Sequence, residues 1–481
     1  MARINTNVGS MVAQSQLHRA QGSLNQALQR LSSGLRINRG ADDPAGLIAS
    51  ESLRSEIQGV KTAVDNSQRA SNIIATAEGA LGEVSDLLVS IKSLAIQAAN
   101  KGAMSPEEIK ANQLQVDSAV QSITRISNVT NFAGLNLLNG SLDYNLSGVI
   151  NSQIAEAHIF NAQFASATSI PVNVQVVQSA LPAALLWATS QVGSSGVTIE
   201  VAGNKGVEAI NFRHSASVGT VMSAINGVKD ATGVSATWID SAGNSAAGLV
   251  FYSTDYGSES FVSVQALPGQ GAFDTTDALG TSTHRTNGQD VAATINGSNV
   301  VGKGLELSLN TTYLSLDLKL DPAFAGAANA SSFAITGGGA LFQLGPHVSI
   351  NEQRSFGIQS VAATRLGNST IGFLSQIVTG GQSSLTEGQA QQAAAIIDEA
   401  ITQVAGLRGR MGAFEKNTIQ TNMRSLQVAQ ENLTASESSI RDADFAAETA
   451  NLTRGQILTS AATSVLAIAN QTPQSVLKLL Q

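Results

Sequence analysis

The sequence lacks cysteine and is poor in charged and aromatic residues. With no cysteine among its 481 residues, it cannot form disulfide frameworks, thiolate zinc sites or iron–sulfur clusters. Charged residues make up 13% and aromatic residues 4% of the chain, so its cores must be built from small side chains. The net charge of −8 argues against nucleic acid as a partner, because phosphate binding needs a basic surface.

Long hydrophobic runs are also missing. No window approaches about 18 uninterrupted apolar residues, so we predict no membrane-spanning helix and no insertion into a membrane. Residues 1–10 include one basic residue and no apolar segment follows them, so we predict no cleavable secretory signal. Taken alone, this favours a cytoplasmic protein, unless a dedicated export route reads an uncleaved terminus.

Motifs for catalysis and metal binding are sparse. The five histidines are isolated from one another, and none has a second histidine at the spacing of a metal-ligand pair. Asp42 and Asp43, like Asp442 and Asp444, are interpreted as helix-capping and solvent-facing residues, and Gly337–Gly339 as a turn. The sequence therefore predicts no catalytic residues, no metal and no cofactor, in a protein that is not an enzyme.

What the sequence does contain is apolar periodicity at both ends. Leucines in the first segment follow the spacing of a coiled-coil seam, at Leu17, Leu24, Leu28, Leu31 and Leu35. Residues 1–41 contain arginines but no acidic residue, and so polar a helix has little reason to fold alone. Near the other end, an apolar stripe that also needs a partner includes Ile457, Val465, Leu466 and Ile468.

Longer helices are predicted between these ends and the centre. Asp43 before Pro44 indicates the start of a helix over residues 44–99, which we expect to end at a left-handed stop in Asn100–Gly102. Ser105 and Glu108 form a capping box that starts another helix. The expected packing positions of this helical stem, with a change of heptad phase after Leu81, are Ile57, Val60, Val64, Leu88, Ile91, Ile419, Leu426, Leu433 and Ile440.

The centre of the chain has a different pattern. Between residues 141 and 383, short apolar–polar alternations such as Leu314–Leu320 are separated by turn residues, which is typical of β-strands. One short helix is expected at Ser217–Lys229. The predicted fold class is therefore α+β, with a long antiparallel helical, coiled-coil stem formed by both termini and a β-rich outer module inserted in the middle.

Both ends of the sequence resemble bacterial flagellin. The matching motifs include Leu31–Asn38 (LSSGLRIN), Ala41–Leu47 (ADDPAGL), Asn131–Leu138 (NFAGLNLL), Glu437–Phe445 (ESSIRDADF) and Ala462–Ala467 (ATSVLA). The resemblance covers roughly residues 1–140 and 390–481. A central stretch at about 204–264 is similar to the repeat found inside many flagellins and hook-associated proteins.

The resemblance implies a role for each segment. Residues 1–43 correspond to an N-terminal inner-tube helix, disordered in the flagellin monomer, and residues 445–481 to the C-terminal inner-tube helix. Residues 44–140 and 384–444 correspond to outer-tube helices, and residues 141–383 to exposed outer domains. The apolar positions named above for the first and last segments are then expected to pack subunits against one another in the inner tube.

By the same resemblance, the expected function is structural. Flagellins polymerise into the bacterial flagellar filament, a helical homopolymer outside the cell that serves motility, and the flagellar type III apparatus exports them unfolded. The expected partners are further copies of the chain itself, the flagellar export chaperone, the filament cap and the hook-associated proteins. The missing cysteines and cleavable signal suit that export route, which replaces the cytoplasmic expectation.

A degraded innate-receptor patch is also expected. The flagellin-sensing Toll-like receptor recognises some flagellins at a motif similar to Leu88–Gln97. Ser90 lies where the receptor-active pattern has arginine, Ser93 where it has glutamate, and Gln115 replaces a glutamate on the neighbouring helix. The compatible residues of the patch are Lys92, Leu94 and Gln97. We therefore predict weak or absent activation of the receptor.

Two alternatives are compatible with parts of the sequence. The hook–filament junction protein of the same system shares the terminal helical pattern, although its termini resemble flagellin only distantly. A filament-displayed enzyme or adhesin, with its active module in residues 141–383, is the alternative from another class. Serine, histidine and aspartate residues that are scattered along that segment could converge in space.

Overall fold

The computed structural model describes residues 6–164, 167–189, 191–193, 195–239, 248–268 and 271–479, with residues 473–479 described by their backbone only. These residues form two compact units. The terminal unit comprises the described residues of 1–71, 343–353 and 414–481, and the central unit comprises those of 72–342 and 354–413.

Helices dominate both ends of the chain. The α-helices of the described residues are α1 (Val8–Ser33), α2 (Pro44–Ala99), α3 (Pro106–Val129), α4 (Val218–Gly227), α5 (Lys229–Thr232), α6 (Pro322–Ala325), α7 (Ala390–Phe414), α8 (Gln420–Arg441) and α9 (Phe445–Leu479). A short π-helical segment, Glu415–Ile419, joins α7 to α8. The helix predicted over residues 44–99 is confirmed as α2.

Capping side chains start α2 and α3 where the sequence indicates. Asp43 Oδ1 accepts the N–H of Gly46 at 2.9 Å in the first turn of α2. At the start of α3, Ser105 and Glu108 form the predicted capping box, each accepting a backbone N–H of the other. These bonds satisfy N–H groups that have no partner inside the helix.

The predicted left-handed stop after α2 is wrong. Gly102 does not have a positive φ. The carbonyl of Asn100 instead accepts the N–H groups of Ala103 and Met104, at 3.1 and 3.2 Å. Backbone hydrogen bonds therefore close this turn without the left-handed conformation that favours glycine.

The buried face of α2 follows one unbroken heptad. Its buried residues recur in alternating steps of three and four from Val60 to Ala98, so the predicted change of phase after Leu81 is wrong. The prediction followed the large apolar residues and overlooked small ones, such as Ala63, that occupy the same face. A small side chain at a heptad position still packs, because it allows a neighbouring helix to approach closely. The full set is Val60, Ala63, Ser67, Ala70, Ile74, Ala77, Leu81, Val84, Leu88, Ile91, Ala95 and Ala98.

Strands make up the middle of the chain. They are β1 (Asn131–Phe132), β2 (Leu135–Asn136), β3 (Tyr144–Ser147), β4 (Ile154–Ala162), β5 (Ile170–Gln178), β6 (Pro182–Trp187), β7 (Val197–Gly203), β8 (Val207–Phe212), β9 (Val234–Trp238), β10 (Leu249–Tyr256), β11 (Phe261–Ala266), β12 (Arg285–Asn287), β13 (Ala292–Ile295), β14 (Ser298–Val301), β15 (Glu306–Asn310), β16 (Leu314–Leu320), β17 (Ala330–Gly338), β18 (Ala340–Gln343), β19 (Gln353–Phe356), β20 (Gly367–Asn368) and β21 (Gly372–Phe373).

Four antiparallel sheets build two β-rich cores in the central unit. The first core packs a five-stranded sheet, in the order β14-β13-β5-β17-β3, with the three-stranded sheet β15-β16-β4. The second core contains the sheets β6-β10-β9 and β12-β11-β7-β8 together with α4. In this second core the ring of Trp187 stacks on that of Phe273, with centroids 4.5 Å apart. Each sheet buries the apolar side of its alternating strands.

The turn predicted at Gly337–Gly339 is wrong for its first two residues, because Gly337 and Gly338 end β17 and pair with Asn145 and Tyr144 of β3; only Gly339 lies between β17 and β18. All three have positive φ angles. A Cβ on Gly338 would lie 2.1 Å from the carbonyl oxygen of Asp143, so the close approach of the end of β17 to the chain before β3 requires glycine.

The α+β class predicted from the sequence is confirmed. Long helices near both ends flank a central β-rich region. Strand β16 coincides with the predicted alternation over Leu314–Leu320, and α4 lies within the predicted helix at Ser217–Lys229.

Candidate functional site

Helices α1 and α9, both in the terminal unit, pack against each other along one face of each helix. Between Phe445 and Thr472, seven residues are not exposed, and they recur in alternating steps of four and three. Buried and half-buried residues of α1 repeat with the same spacing, which is that of a coiled coil. We call this contact the terminal seam; it consists of Ala13, Leu17, Ala20, Leu24, Ala27 and Leu31 of α1 and Glu448, Leu452, Gly455, Thr459, Ala462, Leu466 and Ala469 of α9.

Large residues of one helix lie opposite small residues of the other. A Cβ at Gly455 would lie 3.3 Å from the Cα of Leu24, so these two residues meet across the seam. Because the helices are antiparallel, moving seven residues back along α1 and seven residues forward along α9 places Leu17 level with Ala462. Alternating leucine with a small residue lets two helices interdigitate at close range. This is how a chain with few aromatic residues builds the contact.

One partly buried ion pair lies at the terminal seam and joins Arg30 of α1 to the seam residue Glu448. Glu448 is only 7% exposed, and its Oε1 lies 3.0 Å from Nη1 of Arg30. Residues 1–41 contain no acidic residue, and Arg30 pairs with this carboxylate 418 residues away. At the opposite end of the seam, two side-chain hydrogen bonds of 2.7 Å join Asn7 Nδ2 to the Ala469 carbonyl and Ser10 Oγ to Asn470 Oδ1.

Two short segments join these helices to α2 and α8. Gly34 ends α1 in the left-handed conformation, with φ at 72°. Its carbonyl accepts the N–H of Ala443 at 2.9 Å, and the N–H of Arg36 donates to the carbonyl of Arg441 at 2.7 Å. These bonds hold the two ends of the chain side by side where the flagellin-like motifs lie. We call residues 34–43 and 441–444 the connecting segments.

Two carboxylates have lowered pKa values, Asp42 in a connecting segment and Glu51 in α2, which contacts Arg441. Asp42 accepts the backbone N–H groups of Arg39 and Asn38, at 2.9 and 3.1 Å, and these bonds hold its pKa below the ordinary value. The guanidinium of Arg441, whose Nη1 lies 2.8 Å from Glu51 Oε1, lowers the pKa of Glu51. In both cases the partner stabilises the charged carboxylate.

An apolar groove of about 660 Å³ runs along one side of the terminal seam. Its apolar lining includes Val8 and Val12 from α1 and Leu458 and Val465 from α9, and at least half of each residue's surface is exposed. Ile468, one turn further along α9, is 62% exposed. Apolar surface of this kind, gathered on one side of a helix pair, is typical of a protein–protein contact.

The predicted subunit-packing residues fall into two groups. The first group is half-buried within the chain and comprises Leu17, Leu24, Leu31, Leu35 and Leu466. The second group is exposed and comprises Leu28, Ile457, Val465 and Ile468. The second group has more of its surface available to another molecule.

The predicted stem positions lie in both units. In the terminal unit, Val60 and Leu426 belong to one apolar cluster against which Val64 and Leu433 pack. Also in this unit, Ile419 is fully buried and Ile57 and Ile440 are half-buried. In the central unit, Leu88 and Ile91 are fully buried.

The residues of the predicted receptor patch lie on the surface of α2 and α3 in the central unit. Ser90, Gln97 and Gln115 are exposed, and Leu94 is half-buried. Lys92 is engaged within the chain, because its Nζ lies 2.5 Å from Asp398 Oδ1.

Sequence reasoning missed the small residues of the terminal seam. Ala13, Ala20 and Ala27 are the buried residues of α1, whereas the leucines between them are half-buried. Gly455, which receives Leu24, was missed as well. The sequence signal that could have revealed these alanines is that alanine recurs every seven residues in α1, between leucines that recur at the same interval.

The part of the chain that the structure describes contains no helix that is both long and apolar enough to cross a bilayer. Within the same residues, no three His, Asp or Glu side chains are grouped so that they could hold a metal ion.

Family models match the two ends and part of the centre of the chain. The bacterial flagellin N-terminal helical region matches residues 4–143, and the C-terminal helical region matches residues 394–480. The flagellin hook IN motif matches residues 196–255.

Curated relatives extend over nearly the whole chain. The B-type flagellin of Pseudomonas aeruginosa is 30% identical over 522 residues, with 99% of both chains covered. Flagellin A of Vibrio cholerae is 29% identical over 480 residues, and a flagellin of Salmonella choleraesuis is 28% identical over 535 residues, each again with 99% coverage of both chains.

Solved structures show weaker similarity. The flagellar hook associated protein-3 from Legionella pneumophila matches with a TM-score of 0.31 at 12% identity, covering 81% of this chain and 98% of that one. The D2-D3 domains of the flagellar cap protein FliD from Escherichia coli match with a TM-score of 0.28 at 18% identity, covering 40% of this chain and 98% of that one.

Proposed function

This chain belongs to the bacterial flagellin family, and we propose that its paired terminal helices contact neighbouring copies in the flagellar filament through their exposed apolar side. The protein is a structural subunit of that extracellular filament, is exported by the flagellar type III apparatus and serves motility. The hook–filament junction protein is not favoured, because the curated relatives are flagellins over nearly the whole chain.

The apolar groove beside the terminal seam is the observation that supports a contact between neighbouring copies. The intrachain seam leaves Val12, Leu458 and Val465 at least half exposed along that groove. Burying this surface against the same helices of another copy, repeated by screw symmetry, gives an open filament. The exposed group of the predicted packing residues, Leu28, Ile457, Val465 and Ile468, is proposed to touch neighbouring copies. The half-buried group, Leu17, Leu24, Leu31, Leu35 and Leu466, is proposed to support this surface from within the chain.

Each segment is proposed to have the role that its family counterpart has. Residues 1–43 and 445–481 would form the inner tube, residues 44–140 and 384–444 the outer tube, and residues 141–383 the outer domains. The element bounds support this division, because α2 begins at Pro44 and α9 at Phe445. Within the outer-tube segments, the stem positions are proposed to hold the helices of one subunit together.

A charge on the exposed side tests the proposed contact. Val465→Asp and Ile468→Asp each place a carboxylate where a neighbouring copy would cover it, and an unpaired buried charge costs several kcal/mol at every repeat. We expect an exported, folded subunit that does not polymerise, measured by sedimentation and electron microscopy. Leu279→Asp is the matched control, because Leu279 is 92% exposed in the central unit, and it should assemble normally. Normal filament yield from both Val465→Asp and Ile468→Asp would contradict the proposal.

The proposed partners beyond the chain itself are the flagellar export chaperone, the filament cap and the hook-associated proteins. Family membership is the support for these three. Flagellins are structural proteins, and on the same ground we propose that this one has no enzymatic activity. Incubating purified filaments with protease and glycosidase substrates tests this, and turnover that copurifies with the filaments would contradict it.

We also infer weak activation of the flagellin-sensing Toll-like receptor. The receptor-active pattern has charged residues where this chain has Ser90, Ser93 and Gln115, and a lost charge-assisted contact weakens binding. Purified monomer should be weak in a reporter-cell assay, and a variant combining Ser90→Arg, Ser93→Glu and Gln115→Glu should be more potent. Full potency of the parent chain would contradict the inference.

A further inference from the structure

We infer that the partly buried ion pair between Arg30 and Glu448 sets the register in which α1 lies along α9. The pair joins Arg30 Nη1 to Glu448 Oε1 at 3.0 Å inside a contact that is otherwise made of alanine, leucine, glycine and threonine. Its side chains are 23% and 10% exposed. This inference concerns the folding of one chain and goes beyond the proposed contact between copies.

The rest of the terminal seam does not distinguish registers that differ by one heptad. Leucine recurs every seven residues in α1, and a small residue recurs every seven residues in α9, at Gly455, Ala462 and Ala469. Sliding one helix by seven residues therefore moves Leu24 from Gly455 to Ala462 and again sets a leucine against a small residue. The packing energy of the shifted pairing would be similar, because the same kinds of side chain meet.

Glu448 is the seam residue that breaks this repetition. After a slide of one heptad in one direction, Glu448 lies level with Leu24; after a slide in the other, it lies level with Asn38, beyond the end of α1. In neither register does it meet Arg30. In the first of these registers the carboxylate is removed from water without its partner, which is strongly unfavourable; in the second it lies beyond α1 and the ion pair is lost. A single polar residue in a coiled-coil seam is a known means of fixing register.

The other contacts specific to this register are weaker candidates for the same task. The backbone hydrogen bonds between the connecting segments join Gly34 to Ala443 and Arg36 to Arg441, and the end of the seam adds the bonds from Asn7 to Ala469 and from Ser10 to Asn470. Gly34, Ala443 and Asn7 are only half-buried, and the bond between Ser10 and Asn470 is exposed. Water can replace groups that lie near the surface when they separate, so their net contribution is modest.

The register can be measured with spin labels, because the chain has no cysteine of its own. Gln14→Cys and Ala450→Cys place labels on exposed positions of α1 and α9. The observed register separates them by about 22 Å along the helices, and a slide of one heptad changes that separation by about 10 Å, at 1.5 Å per residue. Labelled chains are diluted into filaments of unlabelled chain, so that pulsed dipolar spectroscopy reports distances within one molecule.

Replacing both members of the pair is the decisive variant. With Arg30→Leu and Glu448→Leu together, the seam stays apolar, and we expect a second distance, displaced by about 10 Å, in at least about a tenth of the molecules. Arg30→Lys keeps the cation and should give the single distance of the parent. A matched surface control, Lys303→Leu with Glu259→Leu, removes an exposed ion pair of the central unit and should also give one distance. A single unchanged distance in the Leu/Leu variant would overturn the inference, and so would one broad distribution, which would show that the pair holds the helices together without choosing their register.

Discussion

Replacing glycine by alanine at two positions of the terminal helices is expected to have different effects on stability. At Gly22 in α1 an added Cβ meets nothing within 4 Å, so Gly22→Ala should gain the helix propensity of alanine, about 1 kcal/mol. At Gly455 in α9 the same Cβ would lie 3.3 Å from the Cα and 3.4 Å from the Cβ of Leu24. Overpacking of this kind costs about 1–3 kcal/mol, so Gly455→Ala should be neutral or destabilising by up to about 2 kcal/mol.

Hydrogen exchange of the α1 and α9 amides in assembled filaments measures this difference locally. A change of about 1.4 kcal/mol corresponds to a tenfold change in the opening equilibrium. Gly22→Ala should therefore slow exchange about fivefold, and Gly455→Ala should leave it unchanged or accelerate it by up to about thirtyfold. Equal slowing by both substitutions would refute the close packing of Leu24 on Gly455. Gly455→Leu, which adds a much larger side chain at the same point, should accelerate exchange further.

Three other predictions test the start of α2, the connecting segments and the second β-core. Asp43→Ala should destabilise the first turn of α2 by about 1 kcal/mol and Asp43→Asn by much less, measured by local hydrogen exchange; equal effects would contradict a capping role. Because folding lowers the pKa of Asp42, its stabilising contribution is complete above the ordinary value of 3.8 and is lost as the pH falls through the lowered value. The protection factors of the amides in the connecting segments, which correct for the pH dependence of intrinsic exchange, should fall in that acid range, and Asp42→Asn should remove this fall. Phe273→Ala removes the ring stacked on Trp187 and should destabilise the second core by about 3–5 kcal/mol in thermal unfolding, while filaments still form; loss of assembly would show that this core is needed for polymerisation.

The sequence by itself determined the class of the fold and the starts of two long helices, α2 and α3. Asp43 before Pro44 and the Ser105–Glu108 box act through neighbouring backbone N–H groups, so a few adjacent residues carry the whole signal. Alternation along β16 predicted its strand for a similar reason, because the side chains of a strand alternate between its two faces. The flagellin-like motifs were also local stretches that could be read directly.

Only the tertiary structure decided which residues face each other across the terminal seam. From the sequence, the packing positions of α1 were assigned to leucines because leucine is large and apolar. In the structure, Ala13, Ala20 and Ala27 are more deeply buried than those leucines. A small residue is equally compatible with a surface, and its burial depends on the helix that packs against it. The partners of Arg30 and Leu24 lie more than 400 residues away, at Glu448 and Gly455, and no local pattern links positions so far apart. Folding brings the two ends of the chain together. The leucines of the terminal seam are thereby half-buried within the subunit, whereas Val465 and Ile468 stay exposed to other copies.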